Sequence, residues 1–268
     1  MYEILASRLR EGLPSVSVTV VSGENPLFPV GSKFLYDAFG QVLYPPPPGL
    51  PRQGGGEESS SASSPFWGEV FSDLVRDVGQ SKRAGKMELS LPSGDVSIFA
   101  EALYPPETLY IFGGGHIGQA LYELGKGVGF RVVVVDDRET FANRDLFPLA
   151  HELIVRDFET LEISLPRSAY CVIVTRGHQY DECCLEKCAT QSPAYVGLVG
   201  SRVKISHIFR NLVEKGIPRD LLDEVHAPVG LDLGAVTPFE IALSIMAEIL
   251  QIKNSRTARS LMELWRRH

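Results

Sequence analysis

Residues 110–121 read YIFGGGHIGQAL: an apolar run, four glycines within six positions, and then a segment with helical spacing. Ile117, Ala120, Leu121 and Leu124 fall at i, i+3, i+4 and i+7, which places them on one helix face. Gly113, Gly115 and Gly118 satisfy G-x-G-x-x-G between a strand-like run and that helix, the context in which the pattern carries a phosphate-binding meaning. The first glycine permits a tight turn, the second lets a phosphate approach the backbone, and the third lets helix and strand pack closely. The helix N-terminus adds unpaired N–H groups and positive potential. Without a ligand, the same glycines would serve only the close packing of a helix.

Five apolar runs between residues 108 and 201, TLYIFG, FRVVVVDD, HELIVRD, AYCVIVTRG and AYVGLVGS, are separated by segments long enough for helices. That alternation predicts βαβ units around a buried parallel sheet. Ile205, Ile208, Phe209 and Leu212 repeat the helical spacing. In TPFEIALSIMAEIL, residues 237–250, Thr237 stands as N-cap, Pro238 at the first helical position and Glu240 three residues after the cap, so a helix is predicted to start there.

The first hundred residues have another pattern. SVSVTVV and KFLYDAFGQVLY predict strands with a turn between them, FWGEVFSDLVRDVG a helix, and KMELSLPSGDVSIFAEAL a hairpin about Ser93 and Gly94. The Pro/Gly/Ser-rich stretch at 45–65 has almost nothing to bury and is expected to be a flexible linker. YPPE, residues 104–107, marks a boundary, because consecutive prolines neither join a central strand nor continue a helix. The expected architecture is α/β: a Rossmann-like parallel-sheet domain at the C-terminus, residues 105–268, with a smaller α+β N-terminal domain, residues 1–104.

With 268 residues, 44% of them hydrophobic, the chain can bury an ordinary core. Its net charge of −7 argues against nucleic acid or an anionic membrane as the main partner. No window approaches the about 18 apolar residues of a membrane span, and MYEILASRLREG lacks the features of a secretion signal, so a cytoplasmic location is expected. Cys171, Cys183, Cys184 and Cys188 are then expected to be thiols. Cys184 and Cys188 are four apart with His178 upstream, but neither a C-x-x-C pair nor a second histidine at zinc spacing accompanies them. No metal ligands are assigned; small apolar residues on a packed helix face is the other reading.

In an open parallel sheet, ligands bind beyond the carboxyl ends of the strands. Three loops are expected there: Gly113, Gly114, Gly115, His116, Ile117 and Gly118; Thr175, Arg176, Gly177 and His178; and Gly200, Ser201 and Arg202, with Lys204 just inside the next helix. Asp136 ends the second strand, about 20 residues beyond the glycines, where a carboxylate can bind a ribose 2′-hydroxyl. Asp137 competes for that role, and Arg138 is placed to accept a 2′-phosphate. Together they predict a site for a polyanionic small molecule. No catalytic residues are assigned. His178 is a possible acid/base residue, but nothing in the sequence supplies its partner. Tyr122 and Lys126 match the Tyr-x-x-x-Lys pair of some reductases but follow the glycine loop directly, not on a later helix across the nicotinamide.

IFGGGHIGQAL, FRVVVVDDR, VIVTRGHQYDE, YVGLVGSRVK and VHAPVGLDLGAVTPFEIALSIMAEI, in this order, resemble the C-terminal Rossmann-like domain of the XdhC/CoxI family, the xanthine dehydrogenase accessory proteins. The resemblance covers residues 108–252. It implies a maturation chaperone, not the hydroxylase: a protein that binds molybdenum cofactor (molybdopterin), presents it to a cysteine desulfurase, and assists its insertion into a xanthine dehydrogenase-type hydroxylase. A homodimer is the expected state. The family's N-terminal glycine-cysteine element of the "GGCVE" kind is missing here, since no cysteine precedes Cys171, which excludes a thiolate role for the N-terminal domain. Two readings stand beside this one: an NAD(P)-binding sensor or regulatory protein, and an NAD(P)-dependent oxidoreductase. The basic tail from Lys253 to His268, with Leu261, Leu264 and Trp265, suits either partner docking or an apolar stripe packed on its own fold or across a dimer.

Overall fold

A computed structural model of the chain describes residues 1–26, 28–44, 65–81, 83–91 and 94–265, without the side chains of 65–72. The expected linker and Ser93 of the expected hairpin turn lie outside the described residues, Pro65 apart. The chain divides into two units, Met1–Pro105 and Pro106–His268.

The first unit contains α1 (Tyr2–Arg10), β1 (Ser15–Gly23), β2 (Lys33–Asp37), β3 (Val42–Tyr44), α2 (Pro65–Ser81), β4 (Gly85–Leu89) and β5 (Val96–Leu103). Its strands form one antiparallel sheet in the order β3-β2-β1-β5-β4. Val16, Val18 and Val20 alternate along β1 and share a core with Ile98 and Ala100 of β5 and with Val75 and Val78 of α2. KFLYDAFGQVLY, expected as one strand, breaks into β2 and β3. The reason is local: Asp37 Oδ1 accepts hydrogen bonds from the backbone N–H groups of Phe39 (2.9 Å) and Gln41 (2.8 Å), and Gly40 takes a positive φ of 91°. Helix α1 has no counterpart among the expected elements, because it buries none of its residues and so shows no core-facing stripe.

The second unit contains β6 (Thr108–Phe112), α3 (His116–Gly127), β7 (Arg131–Asp136), β8 (Glu152–Val155), β9 (Ala169–Ile173), α4 (His178–Ala189), β10 (Tyr195–Leu198), α5 (Arg202–Glu214), α6 (Arg219–Asp223), α7 (Pro238–Lys253) and α8 (Leu261–Trp265). Its five strands are all parallel, in the order β10-β9-β6-β7-β8. Strands β6, β7, β9 and β10 are buried almost throughout, which is why they read as unbroken apolar runs, whereas β8 at the edge exposes Glu152 and Val155. Leu109 and Ile111 of β6 pack with Leu121 of α3 and with Ala242, Ile245 and Ile249 of α7. Phe112 and the inner residues of β9 join Cys184, Leu185 and Cys188 of α4 and Ile205, Ile208 and Leu212 of α5 on the other face.

The order of connection reverses at β6: β7 and β8 lie to one side, β9 and β10 to the other. The carboxyl ends of β6 and β9 therefore meet at the topological switch point, the crevice position where open α/β sheets bind ligands.

Helix α7 starts where expected. Thr237 Oγ1 accepts from the Glu240 N–H (3.3 Å), and the Glu240 carboxylate accepts from the N–H groups of Thr237 (2.8 Å) and Val236 (2.9 Å). Thr237→Ala should therefore cost about 1 kcal/mol, read as a lower denaturant midpoint at unchanged slope. At the other end, α8 buries none of its residues; Leu261 and Trp265 are 81% and 79% exposed, so no apolar stripe packs onto the described fold. Among the described residues no helix is long and apolar enough to cross a membrane.

Candidate functional site

The glycine loop is built around three positions that admit only a hydrogen atom and one that is open. Gly113 turns the chain out of β6 with φ at +119°, and a Cβ there would lie 2.5 Å from the Val174 carbonyl oxygen. A Cβ at Gly114 would run into the carbonyl oxygen of Phe141, and one at Gly118 into that of Gly113. Gly115 differs: nothing lies within 4 Å of its Cβ position. It is also the N-cap of α3, and no side chain caps that helix end. The first-turn N–H groups of a helix have no intrahelical partners, so this end offers bare donors and positive potential where a phosphate can approach. His116 is exposed beside it and Ile117 half-buried.

Asp136, at the end of β7, is buried and turned onto this loop. Its Oδ2 accepts from the Gly114 N–H (2.8 Å), and its Oδ1 accepts from the N–H (3.1 Å) and Nε (2.9 Å) of Arg138. Burial pushes its pKa up, but the bonds from Arg138 and Gly114 outweigh that and hold it below the usual carboxylate range. The Arg138 guanidinium lies 3.7 Å from the centre of the Phe141 ring. Asp136 and Arg138 thus form a closed pair that braces Gly114. The ribose role read for Asp136 and the 2′-phosphate role read for Arg138 both meet groups already committed.

Asp137 is placed differently. Its Oδ2 accepts from the Arg176 guanidinium at 2.7 Å, while its Oδ1 is buried with no hydrogen-bond donor among the described residues and pairs with Arg138 Nε at 3.6 Å. Arg176 follows β9 and Asp137 follows β7, so this ion pair links the two strand ends that flank β6 and its glycine loop.

The other two loops are fastened by residues that no sequence pattern joins. Thr175 Oγ1 donates to Asp181 Oδ1 at 2.6 Å, and the Asp181 carboxylate also forms an ion pair with the Lys204 ammonium. Lys204 reaches the Val199 carbonyl as well (3.4 Å), so the loop after β9, helix α4 and the start of α5 are tied to one carboxylate. Burial pushes the Asp181 pKa up, and Lys204 and Thr175 recover only part of that rise. Asp181 carries no signal in sequence, since it lies in a fully buried position that only the paired lysine from another helix makes tolerable. Ser201 caps α5 by accepting from the Lys204 N–H (3.3 Å). Arg202 is exposed beside it and has no ion-pair partner among the described residues.

His178, at the start of α4 just after Gly177, stands apart from the glycine loop. It lines a cleft of about 530 Å³ between α4 and α5, together with Cys183, His207 and Lys215, and no glycine-loop residue borders that cleft. Cys171, Cys184 and Cys188 are buried in the core between sheet and helices, and Cys183 donates to the Phe158 carbonyl (3.1 Å). Among the described residues, no group of three or more His, Cys, Asp or Glu side chains is placed to hold a metal ion. Tyr122 is buried against Phe147, and its hydroxyl accepts from the Leu149 N–H (2.8 Å), which removes the Tyr122–Lys126 pair from the crevice.

The family model for the XdhC Rossmann domain matches residues 109–249. The protein YqeB of Escherichia coli is 34% identical over 175 residues, covering 63% of this chain and 32% of that protein. A probable subunit of xanthine dehydrogenase from Bacillus subtilis is 32% identical over 169 residues, covering 62% of this chain and 49% of that protein. The chain thus matches less than half the length of either curated relative. Among solved structures, a xanthine dehydrogenase from Bacillus halodurans shares the fold at a TM-score of 0.50 and 19% identity, over 96% of this chain and 97% of that one.

Proposed function

The chain belongs to the XdhC Rossmann-domain family, and from that premise we propose that it is an accessory protein that binds molybdenum cofactor and assists its maturation and insertion into a xanthine dehydrogenase-type hydroxylase. The observation that carries this reading is the bare, uncapped start of α3 at Gly115, set at the switch point with the Arg176 and Arg202 loops following the neighbouring strands. A pterin cofactor with a terminal phosphate fits such a place by its phosphate. None of the four cysteines belongs to the crevice loops, so the chain would hold its cargo by the anionic end. The molybdenum end is then left for partners, a cysteine desulfurase and the receiving hydroxylase.

Handling a cargo also suits the residues better than turning over a substrate. Asp136 is locked on Gly114, Asp181 on Lys204, and His178 faces the α4–α5 cleft, so no acid–base pair is assembled at the glycine loop among the described residues. A cytoplasmic homodimer is the state we assign to it. A nucleotide sensor is the second reading, favoured by the strand order and by Asp137.

Anaerobic titration of the protein with molybdenum cofactor, and separately with NAD and NADP, tests these readings. Cofactor is expected to bind, and Arg202→Ala to weaken it by about 10-fold, the scale of one charge-assisted contact. Tight nucleotide binding with no cofactor binding would overturn the chaperone in favour of the sensor. Substrate-dependent reduction of NAD would overturn it in favour of an oxidoreductase.

A further inference from the structure

We propose that the outer face of α7 is the surface on which two copies of this chain pair, helix against helix about a two-fold axis. The inference rests on the homodimer reading above and names its interface; it does not depend on which ligand the crevice takes.

Helix α7 is apolar on more than its core side. Ala242, Ile245, Met246 and Ile249 are buried in the core with β6 and α3. Phe239, Leu243, Ala247 and Leu250, at i, i+4, i+8 and i+11, form a second apolar stripe on the same helix. Phe239 and Leu243 are 49% and 47% exposed, and Ala247 and Leu250 are half-buried. A helix that is apolar all round is a buried helix. In the segment that leads into α7, Leu233 and Val236 are exposed as well, at 56% and 81%.

The charged residues of α7 are all engaged elsewhere. Glu240 is folded back on the helix cap, Glu248 accepts from the Gly230 N–H and the Tyr195 hydroxyl, both at 2.8 Å, and Lys253 pairs with Glu107 at 2.7 Å. The stripe itself therefore carries no charge.

Two features identify its occupant as a second copy. Depletion of charge over an apolar patch marks the core of a homodimer interface, which is more apolar than the contact surface of a transient partner. The order of side-chain sizes is the second feature. Run antiparallel against itself, the stripe sets Phe239 of one copy against Leu250 of the other, and Leu243 against Ala247. Each contact beside the axis then joins a large residue to a small one, the self-complementarity that a two-fold interface requires. The four exposed side chains present on the order of 400 Å² per copy, the size of patch that marks an interaction surface. With its polar rim, the pairing reaches the about 1,000 Å² of a specific interface.

Light scattering of the full chain as it elutes from a sizing column tests this. Wild-type protein is expected at twice the chain mass of 29.5 kDa. Leu243→Glu and Ala247→Lys are each expected at the single-chain mass, with the dimer dissociation constant raised at least about 100-fold, because each sets two unpaired charges beside the axis. Mixed in equal amounts, the two variants are expected to recover the double mass: the new acid of one meets the new base of the other, and the second contact remains Leu243 against Ala247. An unchanged circular dichroism spectrum serves as the folding control. Either variant remaining dimeric alone would overturn the α7 surface and leave the homodimer standing. Monomeric variants whose mixture stays monomeric would overturn the helix-against-helix pairing, and a monomeric wild type would overturn the homodimer with it.

Discussion

Gly115→Val is expected to weaken ligand binding on the order of 100-fold, because it fills the one place in the glycine loop where a phosphate can reach the α3 N-terminus. Its melting temperature should stay within about 2 °C of wild type, since no atom lies within 4 Å of the new Cβ and Gly115 has φ −68° and ψ −171°, a region open to β-branched residues. Gly114→Ala should do the reverse. Its methyl group runs into the Phe141 carbonyl, and the loop can yield only by breaking the bond from the Gly114 N–H to Asp136. A loss of about 3 kcal/mol in denaturant unfolding is expected, at the upper end of what overpacking costs. The contrast between neighbours is the test. If Gly115→Val keeps full affinity for the ligand, the site does not lie at the glycine loop; if both substitutions destabilise alike, Gly115 is a packing residue like Gly114.

The framework of the second unit was legible because each of its determinants is local. A parallel strand covered on both faces writes itself as a run such as VVVV at 132–135, and the cap of α7 is three residues of one short segment. The glycine motif is local in the same sense, but it says only where a phosphate fits, and it gives Gly114 no role. That glycine is required by a carbonyl 27 residues away in the chain, at Phe141, and by a carboxylate at Asp136. Spacing likewise pointed to Asp136 before Asp137, since both follow the same valines; which one is turned onto the loop depends on where Arg138 and Gly114 lie in space. The tie from Thr175 through Asp181 to Lys204 joins two strand ends and two helices and has no sequence pattern at all. His178 shows the same dependence from the other side. Its position at the start of α4 was legible, yet its side chain belongs to the α4–α5 cleft. Folding at this edge is thus specified in two layers, with strand order placing the loops and a few buried carboxylates deciding which groups remain open to a ligand.

Removing one of those carboxylates should show how much the open groups depend on the closed ones. Asp136→Ala is expected to lower stability by about 3 kcal/mol at neutral pH, because it strands the Gly114 N–H and a largely buried Arg138 guanidinium. The loss should itself depend on pH. Folding holds the Asp136 pKa below its ordinary value, so the unfolded chain takes up the proton first. Its stabilisation is complete above the unfolded pKa near ~3.9 and disappears as the pH falls through the lower folded value. The gap between wild type and Asp136→Ala should therefore narrow as the pH is lowered from about 5 to about 3. Asp181 runs the other way. Its folded pKa is raised, so its contribution is present below the ordinary value and is lost as the pH rises through the raised one. The gap between wild type and Asp181→Asn should consequently widen, not narrow, as the pH is lowered, although both residues are buried at the same sheet edge. Denaturant unfolding of the two variants across that pH range separates them. A gap for Asp136→Ala that stays constant with pH would show that packing, and not the carboxylate, holds the glycine loop in its phosphate-ready shape. If the gap narrows as expected and ligand affinity falls with it, the bare end of α3 is open to a ligand because Asp136 holds Gly114 in place behind it.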